Sequence, residues 1–196
     1  MGNFVKNNSI RISMHPVQFV LLNSPSSLVV QAAIRDLEYH VSLLNLMGLD
    51  ITHKVQIHVG GVYGDKSMAL QRFVNVYKTL PSSTTKRLVI ENDERLWNLK
   101  ECLDIHKRTN ILVLFNTLHH ECNNSGEPLR ESLLSAGKTW SNNDGLQMID
   151  YSSQYSAKRL DAHFQAFLKN IAGIDYDIML EIKDKEGSAQ KAFLYI

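Results

Sequence analysis

Asn110-Ile111-Leu112-Val113-Leu114-Phe115 is the stretch whose reading decides the fold. After one polar residue the run is wholly apolar, so neither face is left for water. A strand of that kind is buried on both sides. Parallel sheets covered by helices contain such strands, whereas an antiparallel sheet solvated on one face alternates apolar and polar.

The flanking sequence keeps to the same scheme. Downstream, a helix is expected from about Pro128 to Ala136, with proline at its start and Gly137 past its end. Leu146 to Ile149 reads as a strand, Leu160, Phe164 and Phe167 as the stripe of a helix, and Asp177 to Leu180 as a last strand. Upstream, Asp93 caps a helix carrying Leu96, Leu99 and Leu103, preceded by a strand from Arg87 to Ile90. Before that, Asp65 caps a helix with Leu70, Phe73, Val74, Tyr77 and Leu80 inside and Pro81 at its end, following a strand from Lys54 to Ile57. Val30, Ile34, Leu37, Val41 and Leu44 recur at helical spacing and stop at Gly48. Ser9 to Met14 is the first strand, with Ile10 and Ile12 inside it.

Strict alternation of strand and helix, without linker or low-complexity segment, argues for a parallel sheet with helical crossovers. No Gly-rich dinucleotide fingerprint and no phosphate loop follows a strand. The expected fold is therefore α/β, a TIM-type (β/α) barrel in one domain over residues 1–196. About six βα units do not close the usual eight-stranded barrel, so it is expected to be incomplete.

What stands at the strand ends points to chemistry. Strand one ends at His15, strand two at His58, strand three at Glu91, strand five at Asp150 and strand six at Glu181. Strand four ends at Asn116, with His119 and His120 just beyond, and His163 falls in or near the helix after strand five. In a TIM barrel the carboxyl ends of the strands form the active-site face. Imidazole and carboxylate gathered there, with no thiolate, make a divalent-metal constellation. One such histidine alone is more often a hydrogen-bonded structural group, and His40 is read that way, His53 and His106 as surface residues.

Composition narrows the field. The hydrophobic share of 44% and charged share of 21% are those of an ordinary globular domain. Two cysteines, Cys102 and Cys122, cannot build a disulfide framework or a cysteine-rich zinc site. No apolar run suffices to span a bilayer, and the N-terminal residues lack the core of a signal peptide. An intracellular, soluble protein without membrane partners is expected. A net charge of +1 offers no global basic field, so any nucleic-acid face must be local.

Several motifs, taken in order, resemble the UV damage endonuclease family. They are Arg11-Ile12-Ser13-Met14-His15-Pro16-Val17-Gln18-Phe19, then Leu22-Asn23-Ser24-Pro25, Leu37-Glu38-Tyr39-His40 and His58-Val59-Gly60-Gly61-Val62-Tyr63-Gly64-Asp65-Lys66. Leu88-Val89-Ile90-Glu91-Asn92-Asp93, Phe115 to His120, Asp150-Tyr151-Ser152-Ser153-Gln154, Ala162-His163 and Asp177 to Glu186 complete the set. The resemblance implies a barrel nuclease related in fold to endonuclease IV and the xylose isomerases. Such enzymes nick double-stranded DNA immediately 5′ of a pyrimidine photoproduct with a cluster of divalent metals, commonly manganese, with magnesium, zinc or cobalt as alternatives. It places metal ligation on His15, His58, Glu91, His119, His163 and Glu181, of which Glu91, His119 and Glu181 are the expected catalytic members. The lesion-probing pair falls on Gln18 and Phe19, where Phe19 replaces the more usual tyrosine. Lys183 and Lys185 fit a DNA groove, or equally a solvated surface.

The chain departs from the family pattern at particular places. Asn116 stands where an aspartate ligand is expected, Asp150 where a histidine is expected, and Met148 where a modified lysine is expected. A further upstream histidine ligand and the first barrel units have no counterpart. Weak or absent activity of this chain alone is therefore expected, with open sheet edges inviting a completing polypeptide or self-association. The alternatives to a nuclease are a non-catalytic remnant that binds DNA without cutting and a sugar isomerase or epimerase on the same barrel.

Overall fold

The strand at the centre of the sequence argument forms as β4, Leu112–Asn116, buried along its whole length. In the computed structural model residues 1–153, 157–182 and 190 are described, leaving aside the side chains of 152, 153, 157–163 and 182. Helix α1, Gly2–Asn7, precedes β1, Ser13–Met14. Helix α2 is Ser27–Leu46, β2 Lys54–His58, α3 Lys66–Tyr77, α4 Ser82–Thr85 and β3 Leu88–Glu91. After β3 come α5, Leu99–Thr109, then β4, α6, Thr117–Cys122, and α7, Leu129–Gly137. A 3₁₀ turn, Asn142–Asp144, leads to β5, Gln147–Ser153, α8, Ala157–Ile171, and β6, Tyr176–Ile182.

The strands pair in parallel, in chain order from β1 to β6. The sheet is strongly curved, and two contacts prove it. Neighbouring strands lie about 4.8 Å apart, so a flat sheet would separate β2 from β5 by roughly 14 Å and β1 from β6 by roughly 24 Å. Yet Gln56 of β2 bonds Asp150 of β5 at 2.5 Å, and Arg11, just before β1, bonds Asp177 of β6 at 2.5 Å. The architecture is a (β/α) half-barrel, as alternation alone led one to expect.

Strand period two sorts the side chains between two interiors. Val55, Ile57, Leu88, Ile90, Val113, Phe115, Ile149 and Tyr151 face outward into the core shared with the helices, where Leu37, Leu44, Phe73, Cys102, Ile105 and Leu133 meet them. The alternate residues face the lumen. A separate apolar layer of Val89, Leu112, Leu114 and Met148, with Trp140, fills its middle. Below it Lys54, fully buried, donates to the Lys86 carbonyl and to Asp144 at 2.8 Å. Burial pulls this ammonium below its ordinary range, against the pull of Asp144. Above the apolar layer, Gln56, His58, Glu91, Asn116, Asp150 and Glu181 follow in the same alternation.

Local chemistry corrects several expectations. The strand expected from Ser9 is cut back to Ser13–Met14, because Ser9 at φ 52° turns the chain off α1 and leaves Ile10 exposed. Asp65 does cap α3, accepting from Met68 N at 3.0 Å. Asp93 does not cap α5. It accepts from the backbone of Arg95 and Leu96 in the preceding loop, while Asn98 forms the capping box with Glu101. Leu96 is therefore outside the helix and exposed, and the buried residue of that loop is Trp97, also before the helix. Gly137 ends α7 from inside rather than lying past it. His53 is buried, not at the surface, and accepts from Ile12 N at 2.9 Å, while His106 is half-buried against the Ile111 carbonyl. His40 is the structural group expected, its Nδ1 on the Asp36 carbonyl at 2.8 Å.

Candidate metal centre

Three strands deliver the first members of the site to the carboxyl end of the lumen. His15 follows β1 directly, His58 ends β2 and Glu91 ends β3, where the sheet register sets His58 beside Glu91. Their ligand atoms all lie within 4.8 Å of one another. Glu91 Oε1 is 3.0 Å from His58 Nε2 and 3.9 Å from His15 Nε2. The His15 and His58 rings stand edge to face, centroids 5.3 Å apart.

His119 joins from α6. Asn116 closes β4 and at once caps α6, its Oδ1 accepting from His119 N at 3.1 Å. That cap fixes where the imidazole emerges. Nδ1 of His119 donates to the Asn92 carbonyl at 2.8 Å and lies 3.7 Å from Glu91 Oε1, while Nε2 is 3.7 Å from Glu94 Oε2. The His119 ring is 5.8 Å from that of His58. A backbone carbonyl on one ring nitrogen fixes the tautomer and frees the other for a cation. The Asn116 amide nitrogen donates to Glu181 Oε2 at 3.4 Å.

Asp150 lies within β5 rather than at its end, opposite Asn116 in the register. It is fully buried, and its Oδ1 has no hydrogen-bond partner among the described residues. Gln56 Nε2 donates both to Asp150 Oδ2 and, very closely, to Glu91 Oε2. Glu181 stands exposed on β6.

Crowding sets the charge states. Burial, then the neighbouring His15 and His119, push His58 down to about 4. His15 is also lowered, by burial first, against the pull of Glu181. Burial raises Glu91 well above the carboxylate range, with the Asp150 charge adding to it, and burial followed by Glu181 lifts Asp150 to about 7. Neutral imidazoles offer lone pairs, and a nearby cation would favour the ionised form of the buried carboxyls, so the group suits a divalent ion.

The remaining expected residues fall elsewhere. Gln18 and Phe19 occupy the turn after β1, both exposed, Phe19 at 71%. That loop is braced by Asn23, which donates to the Gly61 carbonyl at 2.7 Å, while Arg72 donates to the Asn23 carbonyl at 2.8 Å. Gly60 lets the two loops touch: at φ 106°, an added Cβ would overlap Asn23 Oδ1. Tyr63, exposed on the second loop at φ 51° under the Arg72 guanidinium, is an aromatic at the rim that sequence reasoning passed over. Gln56, Asn92 and Glu94 were passed over as well. His163 lies in α8 with its side chain outside the described residues, as are Lys183 and Lys185 altogether. Among the described residues no helix is long and apolar enough to cross a membrane.

The family model of UV-endonuclease UvdE matches residues 1–193. The chain belongs to that family. It is 41% identical to a UV DNA damage endonuclease of Clostridium perfringens (strain 13 / Type A) over 97% of this chain and 49% of the relative. It is 35% identical to one of Bacillus cereus (strain B4264) over 95% of this chain and 62% of the relative. The chain thus spans half to three-fifths of the length of these UvdE-family relatives. The crystal structure of SacUVDE superposes with a TM-score of 0.90 at 44% identity, over 99% of this chain and 68% of that one. The 3-keto-D-glucoside 4-epimerase YcjR of E. coli superposes with a TM-score of 0.71 at 9% identity, over 99% of this chain and 81% of that one. At such identity the likeness shows the barrel fold alone.

Proposed function

We propose that this chain carries the metal-binding mouth of an endonuclease that nicks double-stranded DNA immediately 5′ of pyrimidine photoproducts. The observation that carries the reading is the meeting of His15, His58 and Glu91, from three successive strands, at the open end of the lumen. The donor set fits a hard or borderline divalent cation, manganese first, with magnesium, zinc and cobalt as alternatives. The buried Asp150 Oδ1, without a partner among the described residues, is the atom that such a cation would satisfy. When bound, the cation supplies a water nucleophile at neutral pH and offsets charge on the phosphodiester oxygens.

The chain's own residues then divide the work. His15 and His58, kept neutral by burial, offer lone pairs rather than N–H groups. His119, held by the Asn92 carbonyl, offers Nε2. Glu91 and Asp150 bring the negative charge, and Glu181, exposed at the rim, is the carboxylate placed to take the proton of the attacking water. His163 completes the ligand set in this reading, and Lys183 and Lys185 meet the DNA backbone. Gln18 and Phe19 stand out from the braced rim, where a flat ring can stack on bases unstacked at a lesion.

The test is a nicking assay on a duplex with one defined photoproduct, with manganese added. A single nick 5′ of the lesion is expected, weak for this chain alone and lost in His58→Ala. Phe19→Ala should bind the damaged duplex roughly tenfold more weakly, because stacking contributes about 1–3 kcal/mol per base. Its manganese affinity should not change. A parent chain that binds damaged and undamaged duplex alike, with no nick at the lesion, overturns the reading.

A further inference from the structure

We infer that Gln56 is a positioning residue of the metal centre, whose one carboxamide decides which oxygen each of two buried carboxylates presents. The inference rests on the metal reading above and extends it to a residue outside the expected ligand set.

The geometry is specific. Gln56 lies in β2 two residues before His58, so both face the lumen. It is 3% exposed in a strand otherwise flanked by apolar neighbours. Its Nε2 donates to Glu91 Oε2 on the adjoining strand and to Asp150 Oδ2, 94 positions away on β5. An amide nitrogen has two hydrogens, and these two acceptors use both. Each carboxylate is thereby tethered by one oxygen. The other oxygen of Glu91, Oε1, is the one facing His58 and His15, at 3.0 and 3.9 Å. The other oxygen of Asp150, Oδ1, is buried with no hydrogen-bond partner among the described residues.

The choice of side chain matters. A lysine reaching the same place would bring its own positive charge into competition with a cation. A carboxamide is a donor without charge, so it orients both carboxylates while leaving their negative charge to the metal. A tethered oxygen is a poor ligand, and each carboxylate is thus restricted to coordination through one atom. Partners of this kind behind the ligands typically set metal affinity within a factor of roughly ten to a hundred.

The experiment titrates manganese alone into the full chain and into Gln56→Met and Gln56→Asn, by calorimetry. Cobalt-loaded visible spectra are recorded alongside. Methionine keeps the length and loses both donors, and asparagine keeps the donors and is too short to reach both carboxylates. We expect Gln56→Met to bind manganese at least tenfold more weakly, with a cobalt spectrum shifted toward higher coordination, and Gln56→Asn to fall between it and the parent. Infrared carboxylate bands of the manganese-loaded parent should report coordination through a single oxygen, a reading that holds even if Gln56→Met does not fold. Unchanged affinity and spectrum in both variants, or two-oxygen coordination in the parent, overturns the role of Gln56 and leaves the metal centre standing. A parent chain that binds no manganese overturns both.

Discussion

At the scale of single residues, the lumen holds groups whose titrations pull in opposite directions. Asp150 is lifted to about 7 by burial and then by Glu181, so its folded form holds a proton that the unfolded chain has released. Stability from that proton is complete below the unfolded carboxylate range, near pH 4, and is lost as pH rises toward 7. Glu91 acts in the same direction. His58, pushed down to about 4, has the opposite sign: its cost appears as pH falls from the ordinary histidine range toward 4. Each proton difference is worth about 1.4 kcal/mol per pH unit, and between pH 4 and 6.5 the two raised carboxyls, Asp150 and Glu91, are opposed by the two lowered imidazoles, His58 and His15. The metal-free parent should therefore show nearly flat urea stability across that window. Asp150→Asn removes one of the two carboxyls and eases Glu91, which burial still holds up, so the imidazoles prevail and the curve should rise with pH. A parent and variant of identical slope would mean that Asp150 titrates as an ordinary carboxylate.

At the scale of elements, capping explains most of what could and could not be read from sequence. The α5 capping box, Asn98 with Glu101, ties two backbone donors of the first turn, Glu101 N and Asn98 N. Asn98→Ala should lower unfolding free energy by about 1 kcal/mol with an unchanged urea slope, and a loss within error of zero would show that tertiary packing alone sets that helix start. Asp93 drew attention as the cap because it is the first acidic residue after β3, yet its turn resolves five residues before the real one. The apolar strands β3 and β4 were legible because burial on both faces leaves no other reading. Strand β1 was not, since Ile10 looks like a strand residue and only the left-handed Ser9 betrays the break. Helix α6 was hidden because Asn116 ends a strand and caps a helix in one position. The site divides likewise. His15, His58 and Glu91 were legible as polar residues ending apolar strands. Gln56 was not, because a polar residue within a strand reads as solvent-facing, and only a curved sheet makes that face an interior.

At the scale of the whole molecule, the ends of the sheet raise a question of closure that Arg11 answers in part. β1 is hydrogen-bonded over only Ser13–Met14, whereas β6 runs from Tyr176 to Ile182. Arg11 reaches across from the first to the last. Its guanidinium donates to the Thr52 carbonyl at 2.8 Å, the Leu146 carbonyl at 2.6 Å, the Asp144 carbonyl at 2.7 Å and Asp177 Oδ2 at 2.5 Å. The ring of Trp140 lies 5.5 Å from it. The segments preceding β1, β2 and β5 and the start of β6 are thus gathered on one planar cation, whose fork geometry suits several acceptors at once. The Asp177 side chain is 41% exposed, so its ion pair is screened and contributes little. The stabilisation lies in the backbone carbonyls, which a charged donor serves better than water can from one side. Arg11→Met keeps the aliphatic stem over Trp140 and removes every donor. The expected loss is roughly 2 kcal/mol, a fall in Tm of about 4–8 °C for a chain of this size. The loss should be local before it is global. In hydrogen exchange, β6 and the residues around Ser13 should lose protection first in the variant, while β3 and β4, enclosed on both faces, keep theirs. If protection instead falls evenly across all the strands, the sheet ends are held by their helices and Arg11 is only a surface clamp.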